Sequence, residues 1–110
     1  MNPPAAKIVL STCPPEKAAD LARLLVEGRY AACVNVIESA RSFYLWEGKL
    51  QEDGESLLVI KTAAERSGDL IAALKKAHPY DVPEIVALDI TAGHRAYLEW
   101  VAVSSRPAGP

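Results

Sequence analysis

The sequence predicts an α+β fold, a ferredoxin-like sandwich in which helices cover one face of a four-stranded antiparallel sheet. Three observations predict it. Apolar residues switch repeatedly between a period of two and a period near 3.6. The segments so defined run βαββαβ and end in one more helix, and two split βαβ halves in that order close into this sandwich. Finally, 110 residues make one domain able to bury a core without disulfide or metal staples.

The elements follow in chain order. Lys7 to Cys13 is a short β-rich run ended by Pro14 and Pro15, hence a strand. Pro15 suits a first helical turn, and Ala18, Leu21, Ala22 and Leu25 recur at helical spacing until Gly28, which is free to take a left-handed cap. Ala31 to Trp46 reads as an unusually long strand, with Ala32, Val34 and Val36 on one side and Cys33, Asn35 and Ile37 on the other. Glu38-Ser39-Ala40 reads as a kink or bulge. Gly48 turns the chain, which returns from Glu52 to Thr62. A second helix spans Ala64 to His78, and Pro79 stops it. Glu84 to Thr91 is the fourth strand, and a last helix after Gly93 carries Tyr97, Leu98, Val101 and Ala102. Residues 1–6 and 105–110 are proline-rich tails expected to fray.

The hairpin between Ala31 and Thr62 is longer than a small four-stranded sheet needs. Its Phe43, Tyr44, Leu45 and Trp46 would expose aromatic surface and strand edges in a monomer, so neighbouring subunits are expected to cover it. A hairpin folded over its own sheet is the alternative.

Composition narrows the function classes. A net charge of -2 gives no basic field for tracking nucleic-acid phosphates. No apolar run approaches the roughly 20 residues that span a bilayer, so no membrane partner is expected. The first residues lack the basic head and apolar stretch of a signal peptide. A cytoplasmic protein with reduced Cys13 and Cys33 is the expectation. Neither a phosphate-cradling glycine loop nor a nucleophile elbow is present, and no nucleophile–base pair stands out. The expectation is a binding protein, not an enzyme, with no catalytic residue.

The candidate metal ligands Cys13, Cys33, His78 and His94 stand apart, without paired spacing. Cys33 in Ala-Ala-Cys-Val reads as a small buried apolar residue. Cys13, at a strand end, suits packing and ligation equally, and His78 suits carbonyl capping as well as it suits a metal. The stretch His78-Pro79-Tyr80-Asp81-Val82-Pro83-Glu84 carries the most information. Its two prolines stiffen a polar loop at a strand entry, where sites are commonly built.

These residues carry a resemblance. Ala31-Ala32-Cys33-Val34-Asn35, Ser42 through Trp46 with Glu47-Gly48-Lys49, Ile60-Lys61-Thr62, His78-Pro79-Tyr80, Val82-Pro83-Glu84-Ile85 and Tyr97-Leu98-Glu99-Trp100 resemble the CutA family of divalent-cation tolerance proteins. The resemblance implies a tight homotrimer, similar to PII signalling proteins, with hairpins pairing between subunits. It also implies copper or another divalent cation as a ligand. The family's copper pattern has Cys where this chain has Ser11 and a first His where it has Ala77, so only His78 matches, and Cys13 is the nearest thiol. Copper or zinc held by His78 and Cys13, with no obligatory cofactor, is one expectation. The other is a PII-like sensor or scaffold holding a small anion between subunits. Its cleft would comprise Cys33, Lys61, Tyr80 and Glu84, walled by Tyr44 and Trp46, with Lys61 and Glu84 as a charge pair.

Overall fold

The computed structural model describes residues 2–109. Its elements are β1 (Ala6–Cys13), α1 (Ala18–Glu27), β2 (Cys33–Trp46), β3 (Lys49–Ala63), α2 (Ser67–Ala77), β4 (Ile85–Ile90) and α3 (Arg95–Ser104), with 3-10 turns at Pro15–Lys17 and Ala64–Arg66. The sheet order is β2-β3-β1-β4, and every pairing is antiparallel. This is the ferredoxin-like arrangement that the periodicity predicts.

Alternation sorts the strand residues between two faces. Val9, Cys13, Leu58 and Ile60 join Leu21 and Leu25 of α1 and Leu70 and Leu74 of α2 in the main core. Among the described residues, the opposite face is covered only at one end, where α3 sets Leu98 and Val101 over Ala6, Ala32 and Ile90. Beyond α3, Ile37, Val86 and Leu88 remain about half exposed. This open face is absent from the sequence reading, which located unmatched apolar surface in the ribbon alone.

The long hairpin forms as expected. A register shift between Ile37 and Ala40 marks the bulge, and Ser39 there takes φ 66. From Ala40 to Trp46, β2 pairs with β3 from Glu55 to Lys49. The molecule is accordingly elongated, 50 × 31 × 21 Å. Phe43, Leu45, Trp46 and Leu50 are each more than half exposed, so the ribbon does not fold back over its own sheet.

Several local expectations are corrected. The left-handed residue after α1 is Arg29 (φ 59), not Gly28 (φ -77). Glycine is needed at 28 for space, because a Cβ would sit 2.8 Å from the Tyr30 ring and 2.9 Å from the Leu24 carbonyl. Arg29 in turn donates to the Val103 and Arg106 carbonyls at the end of α3. The helical segment at Ala64 opens as a 3-10 turn, and His78 is already extended (ψ 138), since a residue before proline is driven out of the α region. Ala6, assigned to the fraying tail, begins β1 opposite Ala63 and Ile90. Ser105, assigned to the other tail, is fully buried. Its hydroxyl accepts from the Ala63 N–H at 3.0 Å and donates to the Val101 carbonyl at 2.7 Å. Among the described residues, no helix is long and apolar enough to cross a membrane.

Candidate functional site

The stiff turn after α2 meets the end of β1 and the base of the ribbon, and a chain of polar side chains crosses that corner. His78 is 7 % exposed. Its Nε2 lies 2.8 Å from the Thr12 carbonyl, and its Nδ1 accepts from the Tyr80 N–H at 3.1 Å. A carbonyl only accepts and an amide N–H only donates, so this network assigns the proton to Nε2. The His78 and Tyr80 rings lie 4.8 Å apart between centroids. Tyr80 then donates its hydroxyl to Glu55 Oε2 at 2.9 Å. On the ribbon beside it, the Tyr44 hydroxyl donates to Asp53 Oδ2.

Electrostatics in the corner is dominated by carboxylates. Burial, then Glu55 and Glu16, push the Cys13 thiol above its ordinary range. Burial, then the Glu55 hydrogen bond, push the Tyr80 hydroxyl up as well. Cys13 is wholly buried and so is a poor source of thiolate, the form that ligates metal or attacks an electrophile. Ser11, at the position where the family pattern has cysteine, donates to the Glu84 carbonyl at 2.7 Å, and Ala77 is exposed. Among the described residues, no group of three His, Cys, Asp or Glu side chains could hold a metal ion. The pair expected as a copper or zinc shell therefore does not fit that role here. His78 has both nitrogens in hydrogen bonds, and Cys13 is a buried thiol whose pKa burial and the nearby carboxylates raise.

The expected anion cleft divides in two. Tyr80 lies in the polar corner, with the Tyr44 hydroxyl held on the adjoining ribbon. Cys33 and Lys61 lie opposite each other on β2 and β3, where the Lys61 ammonium donates to Asn35 Oδ1. Cys33 Sγ approaches the same oxygen at 4.0 Å. After burial, Cys33 is the second influence raising the Tyr97 hydroxyl, which brings α3 to this cluster. Lys61 is level with Ile8 and Leu88, whereas Glu84 precedes Ile85, level with Ser11. One intervening strand, β1, and more than one side-chain row thus separate Lys61 from Glu84, and the expected charge pair does not form within one chain. Trp46 sits at the ribbon tip opposite Lys49, remote from both clusters. The two cysteines are free and belong to opposite faces of the sheet.

Sequence reading missed Glu55, Asp53 and Asn35. Glu52-Asp53-Gly54-Glu55 reads only as the polar start of the returning strand, and the pairing of Ala40 with Glu55 shows that Glu55 lies at the base of the ribbon beside the bulge. Asn35 carried a signal in its alternation with Cys33, which already assigned both to one face.

Comparison with known proteins gives the family. The family model for "CutA1 divalent ion tolerance protein" matches residues 7–104. The chain is 47 % identical over 96 residues to "Divalent-cation tolerance protein CutA" of Thermus thermophilus, covering 86 % of this chain and 93 % of that protein. It is 43 % identical over 100 residues to "Protein CutA" of Homo sapiens, of which it spans 56 %. Its fold is similar to that of the "PII-like protein CutA" from Nostoc sp. PCC 7120, with a TM-score of 0.88 at 33 % identity over 93 % of this chain and 99 % of that one. A match running from the first strand to the last helix leaves one conclusion: this chain belongs to the CutA1 family of divalent ion tolerance proteins.

Proposed function

We propose that the protein is a non-catalytic, PII-like homotrimeric binding protein of the divalent-cation tolerance response. The observation that carries this reading is the ribbon beyond the bulge. Phe43 is 55 % exposed, Leu45 71 %, Trp46 63 % and Leu50 70 %, on a two-stranded element that a single chain leaves uncovered. Isolated two-stranded ribbons are barely stable in water, and an apolar edge of this kind is normally paired or covered. The open sheet face beside it, with Ile37, Val86 and Leu88, offers a second surface for the same neighbour. Light scattering across a dilution series tests the reading. A mass three times the 11.8 kDa chain is expected, and a stable folded monomer refutes it.

A second observation supports a ligand between subunits in place of a metal at His78. Lys61 forms no ion pair with any described carboxylate, and its partner Asn35 is neutral. An ammonium so placed, beside Cys33 and Tyr97 at the α3 end of the sheet face, is a receptor for a small anion supplied at the subunit boundary. Lys61→Met removes the charge and keeps most of the stem. Thermal stabilisation by citrate or phosphate should disappear in this variant while the trimer survives. A variant whose anion response equals the parent's removes Lys61 from the cleft.

A further inference from the structure

Among the described residues, Lys61 carries the only charge in two adjoining rows of the sheet face opposite α1 and α2. Its own row runs Cys33, Lys61, Ile8, Leu88, and the next runs Asn35, Val59, Leu10, Val86. The row on its other side, with Ala6 and Ile90, lies under α3. Lys61 thus stands where the helix cover ends and apolar sheet begins, and Val86 and Leu88 are about half exposed there.

An ammonium has three protons to donate. Asn35 Oδ1 takes one, and no second acceptor binds it among the described residues. Asp89, next to Leu88 on β4, alternates to the other face and pairs with Lys7 at 2.7 Å. In a separate chain, water serves the remaining protons of Lys61. A subunit seated on Val86 and Leu88 removes that water, and a cation desolvated without a counter-charge opposes the very association that covers it. An anion at the boundary lifts this penalty in the assembly, whereas the separate chain has none to lift. Such an anion binds the assembly more tightly than the chain, and a ligand that prefers one state stabilises it.

We propose that trimer formation and anion binding are coupled at Lys61, so that a small oxyanion, one per subunit, tightens the trimer and leaves when it dissociates. The coupling rests on the reading of Lys61 as an anion receptor at a subunit boundary and adds the regulation of that site. An oxyanion suits the cluster because Asn35, whose Oδ1 accepts from Lys61, keeps its amide N–H groups for further oxygens.

The test is sedimentation equilibrium in a urea series, giving the trimer dissociation constant against inorganic phosphate at fixed ionic strength. Calorimetry on the intact trimer measures phosphate binding separately. For the parent, phosphate at ten times its own dissociation constant should tighten the trimer about thousandfold, each of three sites contributing about elevenfold. Lys61→Met should show no phosphate response and, in phosphate-free buffer, should associate at least as tightly as the parent, because an apolar side chain needs no counter-charge. Lys61→Arg keeps the charge and should keep the response. A trimer that binds phosphate at Lys61 while its dissociation constant stays fixed defeats the coupling alone. A Lys61→Met trimer weaker than the parent without phosphate also overturns it, since the neighbouring subunit would then supply the counter-charge. A phosphate response retained in Lys61→Met defeats the receptor reading with it, and a monomer at every concentration defeats the assembly reading.

Discussion

The Tyr80 hydroxyl donates to Glu55 Oε2 at 2.9 Å, and through this one bond the proline-stiffened turn after α2 is fastened to the base of the ribbon. The bond explains how a carboxylate can be buried where the hairpin leaves the sheet. The turn itself is held to β1 through His78 and Thr12, so the bond links β1, the turn and the ribbon base.

Tyr80→Phe should therefore destabilise the fold by about 1–2 kcal/mol in urea denaturation, since it strips a buried carboxylate of its donor. The alkaline limb should change too. The hydroxyl's pKa is held above its ordinary value of 10.0 by burial and by Glu55. The unfolded chain then ionises first, so this contribution is intact below about pH 10 and is lost as pH rises past it. The variant should lose less stability than the parent between pH 9 and 11. Equal slopes would mean the bond is not formed in solution.

His78→Ala removes two hydrogen bonds from a buried site and leaves space behind. A loss of about 2–3 kcal/mol is expected. Zinc or copper at one equivalent should shift the melting temperature equally in parent and variant. A rise seen in the parent alone would make His78 a metal anchor after all.

Trp46→Ala tests the ribbon tip. If the ring is buried by a neighbouring subunit, assembly should weaken by about 2–4 kcal/mol per site, read as dissociation at higher protein concentration. An unchanged dilution profile would leave Trp46 on the free surface of the assembly.

Ser105→Ala tests the C-terminal clasp. Without the hydroxyl, the Ala63 N–H is buried with no acceptor, and a loss of about 1–3 kcal/mol should follow. Hydrogen exchange should quicken at Ala63 while Ile60 stays protected. Truncation before Ser105 should cost more, because Arg29 would also lose the Arg106 carbonyl.

The sequence by itself determined the elements and their order. The β-rich run Lys7–Cys13, period-two alternation in Glu84–Thr91, helical spacing in Ala18–Leu25 and the stop at Pro79 are local signals, written by backbone sterics and by which side chains must avoid water. The bulge at 38–40 and the over-long hairpin were legible for the same reason. Tertiary structure alone decided the site. His78 reads equally as ligand or cap until β1 brings the Thr12 carbonyl to its Nε2, and Lys61 and Glu84 read as partners until the register sets them in different rows. Glu55 is an ordinary surface acid in sequence. It is buried in the fold and takes a hydrogen bond from Tyr80, 25 residues away, and contacts between distant segments leave no periodic trace in either one.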